Sequence, residues 1–338
     1  MSTAVPLLTD SYLVPWLPEL WFGLVMLTVA MYVLLDGIDF GIGMLYSTHE
    51  SETERETFLA AFGPIWKANK VWLVAFGTML LAAFPPVYAR LLSEHYLLSI
   101  AIVIALIFRG VAPKLREQRE DERWNRRWDR SFVVGSVLAP FLIGALVGSW
   151  VFASGTVSLP SFFTGLLVVS LAAANGAAFL AIKTDGDFRE SMAAKGQYLS
   201  AAYTGVVVLT LGTVLALDAG GIREAIFTVP VLAIVVLTVV FGIAAPLSAY
   251  RRSYRGWFLS GVALALLLAL LVAVLLYPTI YPAAGLTISD AVVSPIPLNM
   301  VSILGLPVLA LVLWYFSYLY RVFSGPVDLE EGYGTESD

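Results

Sequence analysis

Between Leu20 and Tyr320 the sequence is an almost unbroken succession of apolar runs, separated only by short polar stretches. A helix needs about 20 such residues to cross the hydrocarbon core of a bilayer, and all its peptide groups must find partners within the spanning segment. The runs extend from Leu20 to Leu45, Phe58 to Leu92, Leu97 to Pro113, Phe132 to Phe152, Phe162 to Ile182, Tyr198 to Leu217, Ile226 to Leu247, Trp257 to Tyr277 and Leu298 to Tyr320. They predict an all-α integral membrane protein of about nine transmembrane helices. Composition agrees: 59% of the 338 residues are hydrophobic and only 13% charged, which leaves no stretch for a globular domain. The expected organisation is one polytopic domain over 1–338, with helices 1–4 at 20–152, helices 5–8 at 162–277, helix 9 at 298–320 and an acidic tail over 322–338. The second run is too long for a simple span, so it either begins in the interface, where Pro64 lies, or tilts strongly.

Basic residues resist translocation and collect on the cytoplasmic side. One set of alternate loops holds Arg55, Lys67 and Lys70, the basic residues from Lys114 to Arg130, then Lys183, Arg189 and Lys195, then Arg251, Arg252 and Arg255, and Arg321. The other set holds only Arg90 and Arg223. This asymmetry predicts an N-terminus outside, a C-terminus in the cytoplasm and an odd number of helices. The start of the chain lacks Lys and Arg, so a basic signal-peptide region is not expected there. The run KLREQREDERWNRRWDR, Lys114–Arg130, interleaves acidic with basic residues and reads as a solvated helix extension near anionic headgroups, anchored by Trp124 and Trp128, rather than as a nucleic-acid surface. The formal charge of −5 leaves two sources open, salt adaptation and the chance placement of a few loop carboxylates.

Ionisable groups within spans are costly and therefore mark candidate sites. The first helix contains YVLLDGIDFGIGML, with Asp36 and Asp39 three residues apart on one face and Gly37, Gly41 and Gly43 positioned to admit a neighbouring helix. The second run contains GPIWKANKVWL, with Lys67 and Lys70 likewise three apart, Asn69 between them, and Trp66 and Trp72 flanking. Asp36 and Asp39 lie about 9 to 14 Å from the cytoplasmic end of their helix at the usual rise. Lys67 falls at similar depth on an antiparallel neighbour. The spacing predicts a charge cluster of these residues, since pairing is the tolerable way to bury charge; two snorkelling lysines beside interfacial aspartates are the alternative. Arg109 falls inside the third span, where snorkelling and an anionic partner are both open, and Asn175 suits a helix–helix hydrogen bond.

Haem in a membrane cytochrome is usually held by a helical His. The chain has two His residues, His49 in one loop and His95 in a short turn outside, and neither falls inside an apolar span. Cys is absent, which removes thiolate metal sites and disulfides. No nucleophile or phosphate-binding motif is present, so the chain is not expected to catalyse a reaction alone.

LLDGIDFGIGML resembles the first-helix signature of subunit II of cytochrome bd quinol oxidases, D-G-(aromatic or aliphatic)-D-x-G-x-G-M-L. Pro64–Ala89 is similar to that family's W-D-G-N-(E/Q)-V-W-L and the following aromatic-P-x-x-Y-A. The likeness continues through FRGVAPKLRE, WDRSFVVGSVLAPFLIGALVG, FLAIKTDGDFR and the loop holding Asp290 and Asn299. It implies two four-helix bundles plus one peripheral helix in the prokaryotic plasma membrane, paired with a subunit I that carries haem b and haem d. The implied complex oxidises quinol and reduces dioxygen with generation of a proton gradient. This chain would stabilise that complex, with a structural quinone and a proton or oxygen route as further roles. Asp36, Asp39, Lys67, Asn69 and Lys70 are then the proton-route or charge-cluster candidates, and Trp66, Trp72 and Arg109 the quinone or partner contacts. One departure stands out: Lys67 occupies the family's acidic position, where it either relays protons itself or neutralises Asp36 and Asp39 and closes that route. Gly110 replaces a common Pro. A secondary transporter or channel with a buried Asp/Lys site is the rival reading.

Overall fold

A computed structural model describes residues 10–46, 68–119 and 121–322. His49, Trp66, Lys67 and the tail from 323 lie outside the described residues. The long helices are α1 (Leu17–Leu45), α2 (Val71–Ala83), α3 (Pro85–Glu94), α4 (Tyr96–Arg116), α5 (Glu122–Val151), α6 (Leu159–Lys183), α7 (Gly186–Leu217), α8 (Val229–Tyr250), α9 (Tyr254–Leu275) and α10 (Pro295–Val322). Among the described residues 8 of them are long and apolar enough to cross a membrane, and α2 is a shorter apolar helix. The protein is thus all-α and multi-pass.

Two sequence expectations change in detail. The run expected over Phe58–Leu92 is interrupted within its described part at Phe84, whose φ of −131° and ψ of 62° are not helical. Pro85 and Pro86 follow. The ring of Pro85 disfavours helical geometry at the residue before it and suits the first turn of a new helix, so the chain restarts as α3. The basic run Lys114–Arg130 is likewise two helix ends rather than one continuous extension: α4 stops at Arg116, and Asp121 caps α5 by accepting a hydrogen bond from Trp124 N at 3.1 Å.

Contacts place α1 and α6 at the centre. α6, α7, α8 and α9 pack in a closed cycle, each against the next; α1 packs against α2, α5, α6 and α9, and α4 lies against α5. The α1–α6 crossing brings backbones together, because a methyl added at Gly41 would run into the Ala172 carbonyl, and one added at Gly176 into the backbone of Gly41. Gly43 similarly faces Ser136 of α5, whereas Gly37 has open space beside it. Asn175 donates to Gly261 O of α9 at 3.3 Å, which makes it the helix–helix link that its position in mid-helix suggests.

At the basic end of the bundle, Arg116 and Tyr46 converge on Asp129 Oδ1, both at 3.0 Å, tying α1, α4 and α5 together. Arg252, in the turn after α8, reaches Glu190 of α7 at 3.2 Å. The opposite end is closed by Trp150 Nε1 donating to Ile280 O at 2.9 Å and by Tyr281 donating to Glu94 at 2.6 Å. Burial and that carboxylate raise the Tyr281 pKa above its ordinary value, so the phenol keeps the proton it donates.

At this opposite end α10 is held by the segment preceding α1 and by the first turns of α1. Asn299 donates to Ser11 O at 3.0 Å and accepts from Leu13 N at 2.9 Å; Trp21 Nε1 donates to Ser302 at 2.8 Å. Asn299 is fully buried. Asn299→Ala removes both of these main-chain hydrogen bonds from a buried site and should cost about 1–3 kcal/mol, visible as faster proteolysis near Ser11 and a lower unfolding midpoint in mixed micelles. A variant as resistant as the parent would show that this strap is not stabilising.

Candidate functional site

The buried charges lie toward the basic end of α1. Asp36 and Asp39 are 1% and 0% exposed, and Arg109 of α4 is 1% exposed. Arg109 Nη1 lies 3.2 Å from Asp36 Oδ1, an ion pair sealed from solvent. The Arg109 guanidinium also lies 4.2 Å from the centre of the Phe40 ring, a cation–π contact on the same α1 face as Asp36. Its backbone is pressed by α5: a methyl at Gly135 would sit 2.7 Å from Arg109 N. So Arg109 does not snorkel. It turns inward because α5 closes behind it and the carboxylate lies in front.

Asn69, fully buried just before α2, donates to Leu35 O at 3.3 Å and to Asp39 Oδ2 at 3.1 Å. Its own Oδ1 accepts from the Tyr320 hydroxyl of α10 at 3.0 Å. Lys70 is half-buried and stands over α4, where a methyl at Gly110 would lie 3.7 Å from its Nζ. Asp36, Asp39, Arg109 and Lys70 are close enough to act on one another electrostatically. Among the described residues two carboxylates and two cations balance formally, and such pairing is what permits a charge cluster in a low-dielectric interior.

The hydrogen bonding is incomplete. Among the described residues, Asp39 Oδ1, Arg109 Nε and Nη2 and Trp72 Nε1 are buried without a hydrogen-bond partner, and the buried Tyr32 hydroxyl lies beside Asp36. Donors outnumber acceptors at these positions, and buried polar groups ordinarily have partners. The arrangement therefore has capacity for a further acceptor or for water.

Beside it lies a pocket of about 310 Å³ lined almost wholly by apolar side chains, among them Val33, Phe40, Phe76, Leu106 and Trp150, with Tyr32 and Gly37 also on its wall. The open space beside Gly37 is this pocket, so that glycine makes room rather than a helix contact.

Sequence reasoning named Asp36, Asp39, Asn69, Lys70, Trp72 and Arg109, and the structure brings these together; Trp66 and Lys67 fall outside the described residues. It missed Tyr32, one turn before Asp36, which i, i+4 spacing would have flagged. It also missed Tyr320, which no local pattern marks. His95 is buried at the opposite end, with Nδ1 3.1 Å from Leu91 O and Nε2 2.7 Å from Ser149 Oγ, so both ring nitrogens face protein oxygens. Among the described residues no group of three or more His, Asp or Glu is placed to hold a metal ion.

The chain is thus a polytopic helical membrane protein with an ion pair between α1 and α4 and an aspartate–asparagine pair between α1 and the start of α2, all buried. Residues 17–323 match the family described as cytochrome bd terminal oxidase subunit II, and the chain belongs to that family. It is 30% identical over 188 residues to cytochrome bd ubiquinol oxidase subunit 2 of Bacillus subtilis, covering 51% of this chain and 55% of that protein. It is 32% identical over 131 residues to cytochrome bd-I ubiquinol oxidase subunit 2 of Escherichia coli, covering 38% of this chain and 35% of that one. A probable cytochrome oxidase subunit 2 of Haemophilus influenzae is 25% identical over 131 residues. The matches thus span about half or less of these relatives' length.

Proposed function

We propose that this chain is the haem-free second subunit of a bd-type quinol oxidase, not catalytic alone, that pairs in the prokaryotic plasma membrane with a haem-bearing subunit I. The complex oxidises quinol, reduces dioxygen to water and generates a proton gradient. The observation that carries the reading is that the α1 signature residues, Asp36 and Asp39, fold onto Asn69 and Arg109 as one buried unit in a chain that matches the family over 17–323.

In this reading the chain is a single domain of about nine spans, arranged as two four-helix bundles and a peripheral helix, with the N-terminus outside. The closed cycle of α6 to α9 supports one bundle, the gathering of Lys and Arg at the end holding Arg116, Lys183 and Arg252 supports the orientation, and the limited packing of α10 suits a peripheral helix.

The apolar pocket fits a structural quinone. Its walls are hydrocarbon and aromatic, and Tyr32, whose buried hydroxyl lies beside Asp36, supplies a polar group for a quinone carbonyl. We further propose that Asp36, Asp39, Asn69, Lys70 and Lys67 form the proton-route or charge-balancing cluster. Lys67→Ala should lower oxidase turnover and proton uptake several-fold in the assembled complex; unchanged values would reject a relay through that residue.

The identity itself is tested by purifying the tagged chain from its native membranes in mild detergent and recording the absorbance spectrum. A co-purifying partner with haem b and haem d bands and quinol oxidase activity is expected. A colourless chain isolated alone and intact would overturn the assignment and favour a transporter or channel built on the same buried charges.

A further inference from the structure

We propose that Tyr320, at the end of the last helix, is a positioning residue for the buried cluster: its phenol hydroxyl fixes the amide of Asn69 and thereby holds the Asp39 side chain in place. The inference rests on the reading of Asp39 as a working residue of the oxidase. The geometry leaves little freedom. A side-chain amide can be placed in two orientations related by exchange of its O and N, and the partners decide between them. On one side Asn69 meets Leu35 O at 3.3 Å and Asp39 Oδ2 at 3.1 Å. The first is an acceptor only, and so is the second when ionised, so the NH2 group must point there. The Oδ1 atom is then left facing α10, where it needs a donor. The Tyr320 hydroxyl supplies one at 3.0 Å.

Removing that hydroxyl leaves Oδ1 as a buried acceptor without its donor. Rotation of the amide cannot repair the loss, because it would aim Oδ1 at the Leu35 carbonyl and the Asp39 carboxylate. The side chain must therefore shift, and Asp39, whose other oxygen already lacks a partner among the described residues, loses its hold.

The rest of α10 shows why its terminus can act in this way. Leu304, Val308 and Leu311, 69%, 59% and 62% exposed, form its outward face, while Leu309, with Val312 and Leu313 beside it, packs the inward face against the cluster of Phe40 and Trp72; the polar and ring attachments lie toward its ends. One attachment is the Asn299 and Ser302 set. The other is a two-point contact in register with the start of α2: Phe316 lies 5.2 Å from the Trp72 ring, and Tyr320, four residues later on the same face, meets Asn69, three residues before Trp72. The ring contact aligns the helix and the hydroxyl carries the polar link. A peripheral helix thus reaches the centre of the charge cluster.

The test uses the intact complex reconstituted in lipid. Infrared difference spectra locate the Asp39 band as the one lost in Asp39→Asn. Tyr320→Phe, which deletes a single oxygen, should displace that band and lower turnover several-fold. Phe316→Leu should lower the unfolding midpoint yet leave the band in place, separating positioning from mere stability. Asn69→Ser breaks the same link from the other side and should displace the same band, which keeps the inference testable if Tyr320→Phe assembles poorly. An Asp39 band at its parental position in either variant overturns the proposal. An Asp39→Asn enzyme with unchanged turnover would instead sink the reading of Asp39 as a working residue, while the displaced band would still report the positioning.

Discussion

Arg109→Met should destabilise the folded chain by about 3–5 kcal/mol, the range found when one partner of a buried ion pair is removed and the other stays behind uncompensated. Both side chains are 1% exposed, so solvent offers Asp36 no replacement for the 3.2 Å contact it loses. Two further effects add to the loss: the guanidinium no longer covers the Phe40 ring, and one of the positive charges acting on Asp36 and Asp39 is gone. Lys70 is near enough to compensate in part, which should place the measured value toward the lower figure. Unfolding in mixed detergent micelles gives the number directly. The second arm is Asp36→Leu combined with Arg109→Met, which removes one charge of each sign; most of the lost stability should return. Arg109→Lys should fall between, since an ammonium keeps the charge but not the planar contact with Phe40. A single Arg109→Met variant as stable as the parent would mean that Asp36 is neutral or hydrated in the folded chain.

The membrane class was legible because it depends only on the lengths of apolar runs, and the central helices match those runs closely: Leu20–Leu45 became α1 and Phe162–Ile182 became α6. Asp36 and Asp39 could be placed on one face from spacing alone. Their partners could not, because which helix lies opposite is a matter of tertiary packing. The sequence made lysines three residues apart on the next span the natural partners, whereas the described contact to Asp36 comes from Arg109, seventy-three positions away. The information that selects Arg109 is spread over Gly135, which lets α5 press on its backbone, and Phe40, which receives its guanidinium. Neither residue announces that role locally. Tyr320 is more remote still, 251 positions from Asn69. The break at Phe84 was the opposite case, written in the Pro85–Pro86 pair but obscured by the continuous hydrophobicity on both sides.

Gly41→Ala and Gly176→Ala should each cost about 3 kcal/mol, at the upper end of what overpacking usually does, because the added methyl meets backbone rather than a side chain that can rotate away. At Gly41 the obstacle is the Ala172 carbonyl and the Cα of Gly176; at Gly176 it is the Gly41–Ile42 peptide. The helices can only move apart. Gly205 and Gly212 of α7 provide the contrast, since a methyl at either meets nothing within 4 Å. There the intrinsic preference of a helix for Ala over Gly should operate unopposed, so Gly205→Ala and Gly212→Ala should be neutral or more stable by up to about 1 kcal/mol. Comparing the four unfolding midpoints under one condition removes any general effect of Gly→Ala substitution. The consequence for the site follows from where Gly41 stands, two residues beyond Asp39 on α1. A displacement of α1 by even about 1 Å would stretch the 3.1 and 3.2 Å contacts of Asp39 and Asp36 past hydrogen-bonding distance. Loss of stability at the Gly41–Gly176 crossing should therefore be accompanied by loss of the Asp39 infrared band from its native position. If Gly41→Ala moved the unfolding midpoint and left that band untouched, the cluster would be held by α2 and α4 alone, and the α1–α6 contact would serve packing without setting the geometry of the site.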